Sequence, residues 1–387
     1  MSRASGRIRL GMVGGGEGGF IGAVHRYAAR IDDQFELVAG ALSSNPEKAL
    51  RSGLALGLAA DRIYADYRDM ARAESARPDG IEAVSIVTPN HLHAPVARAF
   101  LDAGIHVICD KPVTTTSADA RALCELVRKN GLLFAVTHNY SANAMVRQAR
   151  QMVQEGQLGE LRVVQVEYVQ DWLAEPIELD GQKQAAWRTD PAQSGGGAIG
   201  DIGSHAWQLA DFITGLDIES LCAELSSLVP GRRIDDNVQV MLRYANGARG
   251  SLWASQVAPG HGNDLSIRVY GSKGGLHWRQ EQPDVLHWTP LGEPTRLISR
   301  NGAGTLPAAA RLARIPGGHP EGYLEAFGNL YREIAASLFA RRPGSVPADP
   351  AAEFPDVEDG LRGVQFIEAV QASSRAGGVW LKPGEPG

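Results

Sequence analysis

The feature that most constrains this chain is a run of glycines, Gly14-Gly15-Gly16-Glu17-Gly18-Gly19, between a short apolar segment, Ile8–Val13, and a segment with helical spacing of apolar residues, Ile21–Ile31. Gly14, Gly16 and Gly19 fit the spacing G-x-G-x-x-G, with Phe20, Ile21 and Gly22 directly after. Glycine permits a tight turn and lets backbone N–H groups approach a pyrophosphate, and the helix that opens there offers its positive end to the same charge. A glycine turn alone says little. One that ends a first strand and opens a helix has the context that a dinucleotide-binding turn requires.

The residues around it repeat that alternation. Strands are expected at Phe35–Leu42, Ile81–Val87, Ile105–Cys109 and Leu132–Thr137, with helices at Pro46–Leu56, Pro95–Ala103 and Ala118–Lys129. Short apolar strands alternating with helices imply a parallel sheet covered on both faces, the doubly wound arrangement. After about Asn139 the pattern changes. Ala142–Gln154 reads as a helix, Leu161–Asp171 as a long strand, 180–200 as a polar, Gly-rich stretch, and 202–214 as a helix. Strand-like runs follow at Leu221–Val229, Val238–Tyr244, Gly250–Gln256, Leu265–Tyr270 and Gly275–Trp278, with the hairpin signal Asn246-Gly247 between two of them. Runs of strands without helices between them indicate a mostly antiparallel sheet, and a large open sheet is a common dimer surface. Residues 300–320 read as a loop, and Tyr323–Ala340 and Asp356–Arg375 as helices. The expected organisation is a Rossmann domain over residues 1–138 and a second α/β domain over 139–387, with the helix at about 356–375 packing back on the first.

Composition narrows the function classes. The 387 residues carry a formal net charge of −6, which opposes a nucleic-acid backbone as the main partner. Cys109, Cys124 and Cys222 are few, odd in number and unclustered, so neither a disulfide framework nor a zinc site follows. No apolar stretch is long enough for a signal core or a membrane span, which makes the cytoplasm the default location.

Ligands of an open parallel sheet sit beyond the carboxyl ends of its strands. Thr88-Pro89-Asn90-His91-Leu92-His93 and Cys109-Asp110-Lys111-Pro112-Val113 follow two such strands, which places Thr88, Asn90, His93, Asp110 and Lys111 at a cofactor. A lysine at this place is a candidate for proton transfer with the substrate. The acidic residue that usually ends the second strand of an NAD site is absent; Ser43-Ser44-Asn45 stands there, with Lys48 a turn on, so NAD and NADP both remain open. Asn139 and Tyr140 follow the last parallel strand and face the same cleft. Farther on, Asp201 and His205 stand four apart: His205 suits a general base and Asp201 a group that binds a neighbouring hydroxyl or orients the base, against the alternatives of a helix cap and a buried histidine. Trp187 and Arg188, with Lys183 and Trp172, suit a polyol or an acidic sugar, or else a loop anchored by buried tryptophan. The Asp and His residues, including His91 and His93, match no metal signature, so no metal is expected.

Val13-Gly14-Gly15-Gly16 with Gly22 and His25, Thr88-Pro89-Asn90 with His93, Asp110-Lys111-Pro112, Trp187-Arg188 with Asp190-Pro191, and Gly195-Gly196-Gly197 leading to Asp201-Ile202-Gly203-Ser204-His205 occur in that order. Together they resemble the glucose–fructose oxidoreductase, inositol dehydrogenase and rhizopine-catabolism family (Gfo/Idh/MocA), over about residues 8–375. The resemblance implies a Rossmann domain, an antiparallel-sheet domain that binds substrate and forms dimers or tetramers, and reversible NAD-linked oxidation of a secondary alcohol on a sugar or cyclitol. The family's Glu-Lys-Pro motif falls on Asp110, Lys111 and Pro112, and its Asp-x-x-x-His pair on Asp201 and His205. This implies His205 as base, Lys111 as hydroxyl ligand or proton relay, and Ser43 in place of the family's usual acid. Two other functions remain in view: an NAD-dependent glycosidase that oxidises, eliminates and re-reduces, with Lys183 and Arg188 gripping an anionic sugar, and a non-catalytic nucleotide-sensing protein.

Overall fold

The computed structural model describes residues 6–347 and 349–385, and of Lys183 the backbone alone. The chain divides into two compact units: Met1–Thr137 with Phe327–Leu361, and His138–Ala326 with Arg362–Gly387.

The first unit opens with β1 (Ile8–Gly14), α1 (Phe20–Ile31), β2 (Phe35–Ala41), α2 (Pro46–Ala55), α3 (Tyr67–Ala76), β3 (Ala83–Val87), α4 (His93–Asp102), β4 (His106–Cys109), α5 (Ser117–Asn130) and β5 (Phe134–Val136). Its five strands run parallel in the order β2-β1-β3-β4-β5. The order reverses between β1 and β3, so the carboxyl ends of these two strands border the switch point where such sheets bind ligands. Ile8, Leu10, Met12, Val84, Ile86, Val107 and Ile108 are fully buried, as both faces are covered. Helix α1 buries Gly22, Val24, His25, Ala28 and Ala29, one stripe at helical spacing.

Helix α3 carries no apolar signal in the sequence, and none was expected there. Its buried face is Met70, Ala71 and Glu74, and the Glu74 carboxylate is matched by buried Arg62, whose Nε donates at 3.1 Å, and by the Tyr64 hydroxyl at 3.0 Å. A charged pair in a core position hides the helical period from a hydrophobicity reading.

The second unit adds α6 (Ala144–Gln154), β6 (Leu161–Val169), α7 (Lys183–Arg188), α8 (Pro191–Ser194), α9 (Ser204–Thr214), β7 (Ile218–Ser226), β8 (Asn237–Tyr244), β9 (Arg249–Ser255), β10 (Asp264–Gly271), β11 (Gly274–Arg279), β12 (Val285–Pro290), β13 (Arg296–Ser299) and α10 (Pro307–Ala310). Helices α11 (Tyr323–Ala340) and α12 (Val357–Arg375) each contribute residues to both units. The eight strands order as β13-β12-β11-β10-β6-β9-β8-β7; β6 and β9 pair in parallel and every other pair is antiparallel. Met145, Ala149 and Met152 of α6 and Leu209 and Ile213 of α9 cover one face, packing on Val164, Leu252, Val240, Ile267 and Trp278. On the other face Gln165, Arg268, His277, His287 and Leu297 form one row across five strands. Strands β12 and β13 were not anticipated: β12 buries only Leu286 and Trp288, and β13 only Ile298, too few for a strand pattern to stand out.

The stretch 180–200, read as a polar loop, instead holds α7, α8 and a π-helical turn, Ile199–Gly203. Buried Asp235 organises it, accepting the N–H groups of Gly197 at 3.0 Å and Ile199 at 2.8 Å. A Cβ on Gly197 would lie 1.9 Å from the Asp235 carbonyl oxygen, so this glycine is required by close approach. Among the described residues no helix is long and apolar enough to cross a membrane.

Candidate active site

At the end of β1 the glycine turn is assembled by backbone contact. The Gly15 and Gly22 backbones touch: a Cβ on Gly22 would lie 2.4 Å from Gly15 Cα, and one on Gly15 would lie 2.8 Å from Gly22 Cα. The residue that brings helix α1 against the turn is therefore Gly22, outside the G-x-G-x-x-G spacing of Gly14, Gly16 and Gly19. Gly19 is the N-cap of α1 with no side-chain cap, so the first N–H groups of the helix, at Phe20 and Ile21, are left for a ligand. The Glu17 N–H is taken by Ser52 Oγ at 3.1 Å. At the end of β2, Ser43 Oγ accepts the Asn45 N–H at 3.2 Å and Asn45 caps α2 by accepting from the Lys48 N–H at 2.9 Å, while Ser44 is exposed.

Across the switch point, Thr88 Oγ1 is buried and has no hydrogen-bond partner among the described residues. A Cβ on Gly14 would come within 3.2 Å of the Thr88 methyl, so this hydroxyl stands beside the turn. A buried hydroxyl without a partner asks for one. Together with the bare helix N-terminus and the glycine cradle, it fits a dinucleotide with a polar ring substituent. Asn90 is buried in a 3-10 turn, Asn90–Leu92.

His93, expected to face a cofactor, has both ring nitrogens on backbone carbonyls: Nδ1 on Pro112 at 2.7 Å and Nε2 on Thr88 at 2.9 Å. It ties the strand-end loop of β3 to the turn that carries Lys111, and presents no ring nitrogen to a ligand. Burial lowers its pKa below the ordinary value, opposed by the Asp110 carboxylate. Asp110 holds the same turn, its Oδ1 accepting from the Lys111 N–H at 2.9 Å and the Thr137 hydroxyl at 3.0 Å. Beneath lies a fully buried polar trio: His25 Nδ1 meets Ser85 Oγ and the Tyr331 hydroxyl, each at 2.9 Å. Burial pulls the His25 pKa down to about 4.

In the second unit the parallel strands β6 and β9 end side by side, and their carboxyl ends carry Tyr168, Gln170, Trp172 and Gln256. Asp201 sits in the π-helical turn, a rare geometry frequent at functional sites. It is not the cap of α9: its carboxylate accepts from Gln256 Nε2 at 2.9 Å and faces Arg188 Nε at 3.4 Å. Arg188 lies over the Trp187 ring at 4.3 Å and near the Trp172 ring at 5.9 Å, and donates to Gln184 Oε1 at 2.6 Å. The Lys183 side chain lies outside the described residues.

One turn beyond Asp201, His205 is buried in an aromatic nest, with the rings of Tyr140 at 4.9 Å, His138 at 5.5 Å and Tyr168 at 6.1 Å. Asn139 is buried, with Nδ2 lacking a partner among the described residues. Tyr140, expected to bind substrate, is also buried, meets the Tyr168 hydroxyl at 2.7 Å and sets its ring against His205. Sequence reasoning missed Tyr168, Gln170 and Gln256, and with them Asn263, whose Oδ1 accepts from the Tyr168 hydroxyl and from Gln170 Nε2. The alternation Tyr168, Gln170, Trp172 was a usable signal, since it places three polar-tipped residues on one side of a strand end; Gln256 and Asn263 carried none. Among the described residues no group of three His, Cys, Asp or Glu side chains is placed to hold a metal ion.

Two family models match the chain. Residues 8–138 match the "Oxidoreductase family, NAD-binding Rossmann fold" and residues 146–277 the "GFO/IDH/MocA C-terminal domain". An oxidoreductase of known structure from Sinorhizobium meliloti is 52% identical, with a TM-score of 0.89 over 98% of this chain and 100% of that one. An inositol dehydrogenase homolog from Azotobacter vinelandii, crystallised with NADH and myo-inositol, is 36% identical, with a TM-score of 0.91 over 98% of each chain. The levoglucosan dehydrogenase of Pseudarthrobacter phenanthrenivorans is 30% identical over 309 residues, 72% of this chain and 75% of that one.

Proposed function

Because the chain belongs to the Gfo/Idh/MocA family of NAD-binding oxidoreductases, we propose that it oxidises a secondary alcohol of a cyclitol or a neutral sugar to the ketone. The observation that carries this reading is the pairing of a carboxylate of fixed direction, Asp201, with an imidazole one turn on, His205, beside Trp172, Trp187 and Arg188. The Arg188 charge is already answered by Asp201 and by the indole faces, which favours a neutral polyhydroxylated substrate over an acidic sugar. The levoglucosan and myo-inositol in the names of the two relatives above are compounds of that class.

The Gly14–Gly19 turn and the start of α1 would hold the pyrophosphate; Ser43, Ser44 and Lys48 the ribose end; Thr88, Asn90, Asp110 and Asn139 the nicotinamide end. NAD held there would supply the hydride acceptor for the carbinol carbon. His205 takes the hydroxyl proton as the carbonyl forms. Asp201 accepts a hydrogen bond from a neighbouring hydroxyl, and Lys111 donates one to the reacting oxygen. A homo-oligomer built on the sheet face that carries Gln165, Arg268, His277, His287 and Leu297 accompanies this reading, and sedimentation tests it.

A panel of cyclitols, neutral sugars and glycosides, offered with NAD and with NADP, tests the proposal. Net NADH from a polyol is the expected result. Glycosidic cleavage without net NADH would replace it with the oxidation–elimination–reduction reading. Nucleotide binding with no turnover of any substrate would replace it with the sensing one.

A further inference from the structure

The reading of Trp172 as a wall of the polyol site underlies this inference. Trp172 follows a strand end, where an indole has no fixed direction of its own. Its N–H donates to Gln170 Oε1 at 2.9 Å, and Gln170 Nε2 donates to Asn263 Oδ1 at 2.6 Å. The Tyr168 hydroxyl donates to the same Asn263 oxygen at 2.9 Å. A phenol has one proton, and that of Tyr168 is committed there, so the 2.7 Å contact between the two tyrosines is donated by Tyr140. Asn263 Nδ2 reaches back to the Tyr140 oxygen at 3.5 Å, closing a three-membered ring of hydrogen bonds. The Tyr140 ring stands edge-on against His205. Asn263 is itself fixed by its own N–H on Glu281 Oε1 at 2.9 Å.

Both lone pairs of one amide oxygen thus serve two different walls. One bond runs through Gln170 to the Trp172 indole; the other runs through Tyr168 and Tyr140 to the ring that packs His205. Arg188 touches Trp172 through its face and supplies no direction to the N–H. We propose that Asn263 is a positioning residue that fixes the angle between the indole wall and the imidazole, so that a bound polyol presents one carbinol to His205. Asn263 touches no reacting atom; it acts through Gln170 and Tyr140.

The test uses the NAD-loaded protein and the best polyol of the wild-type panel. Asn263→Leu removes the shared acceptor, Asn263→Asp keeps it and removes only the donor to Tyr140, and Gln170→Leu cuts the Trp172 arm alone. Loss of the Trp172 arm is expected to raise KM for the polyol about tenfold in Gln170→Leu, and loss of both arms at least as much in Asn263→Leu, with NAD affinity within about twofold of wild type. Asn263→Asp should stay within about threefold of wild type in KM, because the acceptor survives. Since the two residues act in series, the double variant Asn263→Leu/Gln170→Leu should be no worse than the poorer single one. The indole N–H resonance of Trp172 in ¹⁵N-labelled protein, assigned by its disappearance in Trp172→Phe, should move in Asn263→Leu and hold in Asn263→Asp. An unmoved resonance in Asn263→Leu, or KM losses that multiply in the double variant, overturns the proposal. The resonance reads the positioning even if the wild type turns over no polyol, an outcome that would sink the function and leave this arm standing on its own.

Discussion

The nucleotide end of this chain and its proposed polyol end are built from opposite materials. Around Gly14–Gly22 the structure is made by missing side chains: two glycine backbones in contact, a helix N-terminus without a side-chain cap, and a hydroxyl without a partner among the described residues. Around Asp201 and His205 it is made by side chains, with Arg188, Gln256, Trp172, Gln170, Tyr168 and Asn263 reaching in from separate segments. The difference teaches where each end tolerates change. A backbone-built site fails when an atom is added, and a side-chain-built site fails when one is taken away.

The largest expected effect comes from removing a side chain at the polyol end. His205→Ala should cut turnover by roughly a hundredfold to ten-thousandfold, the scale of a lost general base, and leave NAD affinity nearly unchanged. Steady-state rates with an NAD titration check it, and a comparable loss of NAD affinity would blur the contrast.

Acid gives the next effect, in the unit that carries the glycine turn. His25 titrates at about 4 when folded, against 6.5 as its ordinary value, because burial disfavours the charged ring. Between these values the unfolded chain binds the extra proton. His25 therefore contributes stability in full above pH 6.5, and that contribution is lost as pH falls toward about 4; the stake is on the order of 3 kcal/mol. Denaturant unfolding at stepped pH should show this slope, and His25→Gln should flatten it over the same window.

The two smallest effects set the materials against each other directly. Gly22→Val adds atoms where a Cβ would already lie 2.4 Å from Gly15 Cα, and should cost about 1–3 kcal/mol and weaken NAD binding. Gly200→Ala adds a Cβ beside Asp201 with no atom within 4 Å, and should change stability by less than about 0.5 kcal/mol. Calorimetric NAD titration and thermal melts of both variants decide it; equal tolerance at the two positions would erase the distinction.

The same difference explains what could be read in advance. The parallel sheet, its turn and most helix boundaries were legible because glycine spacing and apolar periodicity are local properties. The role of Gly22 was not, because its partner is a backbone seven residues away. The hold of Gln256 on Asp201, and of Asn263 on Tyr168 and Gln170, follows from which strands end beside one another, and β6 pairing in parallel with β9 is set by the whole sheet rather than by either segment. For His93 and Tyr140, sequence shows that a polar group is present and not which partner it has already found: two backbone carbonyls for His93 and the Tyr168 hydroxyl for Tyr140.

Hydride transfer from a polyol to NAD is the claim on which the rest depends, and the route of one hydrogen tests it most directly. With a polyol deuterated at its carbinol carbons, mass spectrometry of the recovered nucleotide should show one deuterium in NADH from the wild type, and little NADH from His205→Ala. Nucleotide recovered wholly oxidised alongside a cleaved glycoside, or no reduction by any polyol, would contradict it.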